Sequence, residues 1–468
     1  MAPDIRLTLD ARAAQVCLRR DKTLHGLAFR WHAAMQHGVN TPAPSPAPTS
    51  PLAIADYRKF WLARFCTTLA STGMVVIIGY QLYDIARDEY GMTIAQASFQ
   101  LGLLGFAQFI PVFFLTPVAG VLADRMDRRK LAGSAAVLDC LVAIGLAVIT
   151  ALHFRNLPVL YGFAVLHGVV RVFIRPAMGA IAPNIVPPQL IPKAIALNSM
   201  AMQIGVIVGP AAAGYLFAWD RPLPYSVSAL AQIISAVGIL AIRTLPPMAE
   251  DARKVHPVRQ LIEGFHFIWH ERFLLGSITL DLFAVLLGGA TALMPVFARD
   301  ILHVGPEGLG AMRAATAVGA TVVALMLSWR PLSKEVGVKM LLSVALYGAA
   351  TLAFGLSRNF AFSLGALAVL GAADMISMFV RGSLVQLRTP DDKRGRVSAI
   401  SGLAISASNE LGEMQSGVAA AFLGATGAVV FGGAGAILIT AVWAVLFPEI
   451  RRARTFETQE TTREVSTS

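Results

Sequence analysis

Charge is scarce in this sequence. Only 14% of the 468 residues are Asp, Glu, Lys or Arg, while 56% are hydrophobic. A soluble domain carries about 25% charged residues, so this chain has too little charge to cover a water-facing surface. That excludes a single soluble globule and a wholly disordered chain. Cysteine is almost missing: Cys17 lies near the start, and Cys66 and Cys140 lie in apolar runs. Three thiols so placed make neither a disulfide framework nor a metal centre. A phosphate-cradling Gly-x-x-x-x-Gly-Lys-Ser/Thr run is missing too, so ATP is not the expected energy source. The nine histidines show no metal-ligand spacing; His266 and His270 are four apart in an amphipathic segment and read as surface residues. No metal, no cofactor and no enzymatic chemistry are expected.

What the chain has instead is long apolar runs. From Tyr57 onward they fall at 58–82, 97–121, 131–152, 158–181, 194–217 and 224–242. After a polar gap of about thirty residues they resume at 273–297, 308–328, 338–356, 360–385, 397–423 and 427–447. A membrane-crossing helix needs ~20 apolar residues, and each run is bounded by charge, Pro or Gly. The fold class read from this is an all-α membrane protein of twelve transmembrane helices. Domain boundaries follow: a disordered tail and linker at 1–56, six helices at 57–243, a linker at 244–272, six more at 273–448, and a tail at 449–468. The first tail holds the run Thr41-Pro-Ala-Pro-Ser-Pro-Ala-Pro-Thr49, which is extended rather than helical, and no apolar core long enough for a signal peptide.

The net charge of +11 supports the same count. Lys and Arg alternate between rich and poor loops: seventeen lie in segments such as 125–130 and 388–396, and five in the opposite loops (Arg87, Arg155, Arg221, Arg299, Arg358). By the positive-inside rule both termini are cytoplasmic. The excess charge is expected beside an anionic leaflet, and no nucleic-acid partner is expected. The halves also echo each other: Asp84-Ile85 ends the first span as Asp300-Ile301 ends the seventh, and Arg175 and Arg381 hold similar places in the fourth and tenth. Such echoes suit a duplicated six-helix unit.

Several motifs sharpen the reading. After the second span comes Gly120-Val-Leu-Ala-Asp124-Arg125-Met-Asp127-Arg128-Arg129-Lys130. A tight turn there needs a small residue at Gly120, and Asp124 can accept from a neighbouring helix N-terminus or pair with Arg. The fifth span carries Gly205-Val-Ile-Val-Gly209-Pro210-Ala-Ala-Ala-Gly214, in which small residues permit close helix packing and Pro210 bends the helix. The first run resembles the helix 2–3 signature of the major facilitator superfamily, with Asp127 where that family has Gly. The second is similar to the superfamily's antiporter signature, with Ala213 at the first of its two final glycines. Asp281-Leu-Phe-Ala, Val296-Phe-Ala-Arg299-Asp300, Gln386-Leu-Arg-Thr-Pro390 with Arg394-Gly-Arg396-Val, and Ser408-Asn409-Glu410-Leu-Gly-Glu413 resemble the enterobactin-exporter-like branch, or transmembrane secretion effectors. The resemblance implies two pseudo-symmetric six-helix bundles around a central cavity. It also implies a multi-pass exporter of the bacterial inner membrane, with protons as coupling ion and a small-molecule substrate. Gly120, Asp124, Arg125, Arg128, Arg129 and Arg396 would then form a gate on the cytoplasmic side.

A charge at the bilayer centre costs at least ~2.5–3.5 kcal/mol on insertion scales. Asp139, Arg171, Arg175, Asp281, Arg313, Asp374, Arg381, Glu410 and Glu413 are therefore expected to face the interior, and as a set to line a central pathway beside Asn409. Asp374 and Arg381 are seven apart and share a helix face, as do Arg171 and Arg175. Depth arithmetic puts Arg313 within reach of Glu410 or Glu413, and Asp281 near Arg381. Glu410 and Glu413, ~5–6 Å apart on one helix face, are a poor place for two full charges, which suits a carrier of one proton. The functional expectation is export of small amphipathic molecules, of siderophore or drug class, by alternating access and proton antiport. An uptake carrier of the same fold and a non-transporting sensor or scaffold are the alternatives.

Overall fold

The computed structural model describes residues 50–243, 257–330, 332 and 334–455. Residues 1–49 and 456–468 of the tails, and the linker over 244–256, lie outside the described residues. The apolar runs form helices with locally written ends: α1 Ala55–Asp88, α2 Ile94–Arg125, α3 Arg128–Ala151, α4 Leu157–Ile181, α5 Ile191–Trp219 and α6 Leu223–Leu240. Thr93 opens α2 with a reciprocal capping box to Gln96, Asp127 caps α3, and Asn156 caps α4 through Val159. Each side chain satisfies backbone N–H groups that have no partner inside the helix.

In the second half the α7 span is broken. Arg272–Leu287 is regular, Gly288 and Gly289 interrupt it, and the chain continues as a 3₁₀ turn Ala290–Leu293, a short turn Met294–Val296 and a π-helical turn Phe297–Ile301. Then come α8 Gly305–Trp329, α9 Val336–Leu356 and α10 Phe360–Arg388, the last capped by Asn359 through Phe362. One long helical segment, Asp391–Leu446, is two helices joined at Gly424, whose φ of 72° and ψ of 165° turn the chain sharply. Only glycine adopts that conformation without a Cβ penalty. We number the parts α11 (391–423) and α12 (425–446). Among the described residues, eleven helical stretches are long and apolar enough to cross a bilayer; with the last divided at Gly424, twelve spans result, as expected. A linker helix, Pro257–His270, precedes α7.

Apolar side chains point outward along the spans: Phe114, Leu141, Val237, Leu342 and Phe422 are exposed. Such a belt is stable only against lipid. Inside, three large clusters divide the molecule. One joins both halves, bringing Tyr83, Leu146, Phe217 and Tyr225 together with Met294, Phe297 and Phe354. The other two belong to one half each, around Phe60, Met178 and Ile239 and around Phe273, Met340 and Leu384. The joint cluster lies toward the short, charge-poor loops, which we term the far end. The separate clusters lie toward the basic loops. The halves thus meet at the far end and part at the basic end.

Candidate functional site

Where the halves part there is a central cavity of about 790 Å³. Its mouth is set by Arg125, Gly395, Arg396 and Ser398, and its depth by Arg313, Thr291 and Glu413. Helices α2 and α4 of the first half face α7, α8, α10 and α11 of the second. Prolines at 111 and 117 in α2 and at 176 in α4 interrupt the helices beside it.

Nine charges were expected to line one pathway. Six do: Arg171, Arg175, Arg313, Asp374, Glu410 and Glu413 are on the wall, as is Asn409. Three are elsewhere. Asp281 and Arg381 form a buried ion pair between α7 and α10, and Asp139 is enclosed within the first half. Asp374 and Arg381 share a face of α10 but stand two turns apart along it; that face borders the cavity at Asp374 and meets α7 at Arg381, so the two do not act on one surface. Arg313 makes no contact ion pair with a described residue; its Nη2 donates to the Thr291 carbonyl at 2.9 Å, with Glu413 and Glu410 in electrostatic reach. Across the halves, Arg171 of α4 lies 3.7 Å from Glu410 of α11 and donates to Gln108 at 3.3 Å. Arg175, exposed to the cavity, makes no hydrogen bond or ion pair with a described residue.

The expected gate is spread out. Gly120 and Arg125 line the cavity, and a Cβ at Gly120 would meet nothing within 4 Å. The Asp124 side chain lies outside the described residues. Arg129 binds its own half, donating to the Ile242 carbonyl and pairing with Asp127 at 2.8 Å. That guanidinium holds the Asp127 carboxyl below the usual carboxylate range. Arg128 reaches the Ala123 carbonyl at 3.5 Å. Arg396 is engaged by Glu263 of the linker helix at 2.7 Å, not by the 125–130 turn. The basic end is open, and Arg396 pairs with the linker helix rather than with the described side chains of the turn.

The closed surface is at the far end. Arg299 of α7 pairs with Asp84 and Asp88 of α1. Asp300 accepts from Tyr83 and from Arg87, the latter at 3.3 Å. Helix backbones touch beside these pairs. A Cβ at Gly310 of α8 would sit 2.6 Å from the Pro210 carbonyl, and one at Gly102 of α2 would sit 2.9 Å from Gly417 Cα of α11. Of the glycines read as helix packing, Gly205 and Gly209 press α5 onto α1, while Gly214 presses it onto α8 across the halves.

One group was not singled out in the sequence. His167 of α4 is buried, and its Nδ1 lies 2.7 Å from Asp139 of α3. Gln232 of α6 donates to the other carboxylate oxygen, and Thr67 and Ser235 continue the chain. A lone histidine in an apolar run carries no pattern; equal depth with Asp139 is the signal that would have found it.

Twelve helices in two halves around a polar central cavity are the architecture of a solute transporter. The model of the Major Facilitator Superfamily matches residues 60–413, and the chain belongs to that superfamily. It is similar to the Enterobactin exporter EntS of Citrobacter koseri, 26% identical over 412 residues that cover 85% of this chain and 93% of that protein. Two solved structures share the fold. One is a POT family transporter in complex with 5-aminolevulinic acid, with a TM-score of 0.66 at 13% identity over 85% of this chain and 97% of that one. The other is a D-xylose-proton symporter, with a TM-score of 0.64 at 14% identity over 84% and 98%. The chain is a multi-pass membrane transporter.

Proposed function

We propose that the chain is a secondary active exporter of small amphipathic molecules, of siderophore or drug class, in the bacterial inner membrane. The observation that carries this reading is the cavity of about 790 Å³ that opens at the basic end while ion pairs and glycine contacts hold the far end shut. The volume suits a drug-sized ligand. The positive-inside rule puts the basic end, and both termini, in the cytoplasm, so the described state loads cargo from inside. A relative named as an exporter supports the direction.

Transport then proceeds by rocking of residues 57–243 against 273–448, tethered by 244–272. The far-end pairs break while the 120–129 turn closes against α11. Glu410 and Glu413 carry the exchanged proton. In proteoliposomes, an acidic compartment on the far-end side is expected to drive cargo toward it as protons return. Accumulation in the opposite direction identifies an uptake carrier, and no flux of any tested siderophore or drug overturns the transport cycle. Orientation is read separately: cysteines at Arg155 or Arg358 are expected to react with an impermeant reagent outside the cell, and one at Lys393 is not.

A further inference from the structure

The two walls of the cavity carry opposite charges at matching places. Helices α4 and α10 begin with the same device, an Asn whose side chain accepts from the backbone N–H three residues on: Asn156 to Val159, and Asn359 to Phe362. Fifteen residues beyond these caps stand Arg171 in α4 and Asp374 in α10, both on the cavity wall. Counted this way, Arg175 corresponds to Met378, so the apparent echo between Arg175 and Arg381 is not the structural one. The two positions correspond, and their charges are opposite.

Three further observations bear on what enters. The deep wall balances three guanidinium groups (Arg171, Arg175, Arg313) against three carboxyl groups (Asp374, Glu410, Glu413). Every charged residue among the described lining of the first half is a cation. Arg175 on one wall and Asp374 on the other have no hydrogen-bond or ion-pair partner among the described residues, whereas Arg171 already faces Glu410. Lastly, Tyr347 is the only aromatic side chain among the described lining residues. An organic cation is commonly held by aromatic faces, and that cage is missing.

A singly charged cargo would complete one wall and leave the other charge unpaired as the cavity closes, which is costly away from water. A cargo with charges of both signs completes both walls at once. We propose that the cargo is amphoteric: its carboxylate or other anionic group docks on Arg171 and Arg175 of α4, and its protonated amine docks on Asp374 of α10. This rests on the transport reading and adds the cargo's chemical class. A planar guanidinium suits a carboxylate because it can donate two parallel hydrogen bonds. Bridging also draws α4 and α10 together, the approach that closing the basic end requires.

The test uses one molecular body in three charge states: ciprofloxacin, a zwitterion near neutral pH; its methyl ester, a cation; and N-acetylciprofloxacin, an anion. Binding to the full chain in nanodiscs is followed by fluorescence anisotropy. The zwitterion is expected to bind about tenfold more tightly than either analogue, the worth of one additional charged hydrogen bond. Asp374→Asn is expected to abolish its advantage over the N-acetyl anion and keep its advantage over the ester. Arg175→Gln, with Arg171→Gln as the second basic-wall variant, is expected to do the reverse. Thermal unfolding reports whether each variant is folded. Equal binding of a singly charged analogue, equal losses for all three probes in a folded variant, or no saturable binding of any probe overturns the proposal. Failure of the transport reading shows differently, as charge-selective binding without flux in proteoliposomes.

Discussion

Asp84 of α1 and Arg299 of α7 form an ion pair across the far end, and their neighbours repeat it with the charges exchanged: Asp300 of α7 takes Arg87 of α1. The Asp-Ile echo at the ends of the first and seventh spans is thus a reciprocal latch. Arg221, 3.1 Å from Asp84, adds a third cation from the α5–α6 turn. The pairs are only partly exposed, so their loss is felt more than that of a surface pair.

Removing one latch residue is expected to destabilise the described state relative to one open at the far end. Arg299→Gln forfeits charged hydrogen bonds worth about 1–3 kcal/mol, a shift of roughly 5–150-fold in the equilibrium between the two openings. A cysteine at Val75 on the cavity wall should then react faster with an impermeant thiol reagent added from the far-end side. Unchanged reactivity would show that the latch does not hold the state.

Glycine contacts give a second expectation. Gly310→Ala puts a methyl group 2.6 Å from the Pro210 carbonyl, closer than atoms can pack, so α5 and α8 must separate and the far end should open. Gly120→Ala meets nothing within 4 Å in this state and is expected to leave it unchanged while obstructing closure at the basic end. Opposite shifts of Val75 labelling in the two variants check this, and equal shifts refute it.

The spans were legible because a bilayer imposes length and apolarity, whatever the sequence detail. Their ends were less so. The first span was expected to stop at 82, yet α1 runs to Asp88, because Asp84, Arg87 and Asp88 in its last turns are satisfied by Arg299, Arg221 and Asp300. The seventh was read as one helix; consecutive glycines at 288 and 289 were the signal of its break. Among the buried charges, Asp281 and Arg381 could be placed by depth. No count along one helix could say that they close on each other, or that Asp139 meets His167, because helix rotation and neighbour choice are decided by packing between distant segments.

The Asp281–Arg381 pair, with both partners nearly enclosed, is expected to hold the second half together without touching cargo. Asp281→Asn leaves a buried guanidinium uncompensated and should cost about 3–5 kcal/mol, whereas Asp281→Leu combined with Arg381→Met should recover most of that loss. Thermal unfolding in nanodiscs measures both. If the double variant is stable yet exports nothing, the pair belongs to the transport cycle after all.

The proton step is tested at α11. Glu410 faces Arg171 of the opposite half at 3.7 Å, and Glu413 lies one turn on, in electrostatic reach of Arg313. A proton on this pair weakens the attraction of α11 for α4, and an ionised pair restores it, so protonation and the separation of the halves are linked. Glu410→Gln and Glu413→Gln fix a neutral side chain of the same shape. If protons travel through the pair, each variant should lose export driven by a pH gradient, falling to the rate without one. Counterflow needs no net proton movement and should persist, because the cavity and its other charges are intact. Loss of both activities in a folded protein would mark the carboxylates as cargo ligands, and retention of full gradient-driven export in both variants would remove them from the proton path.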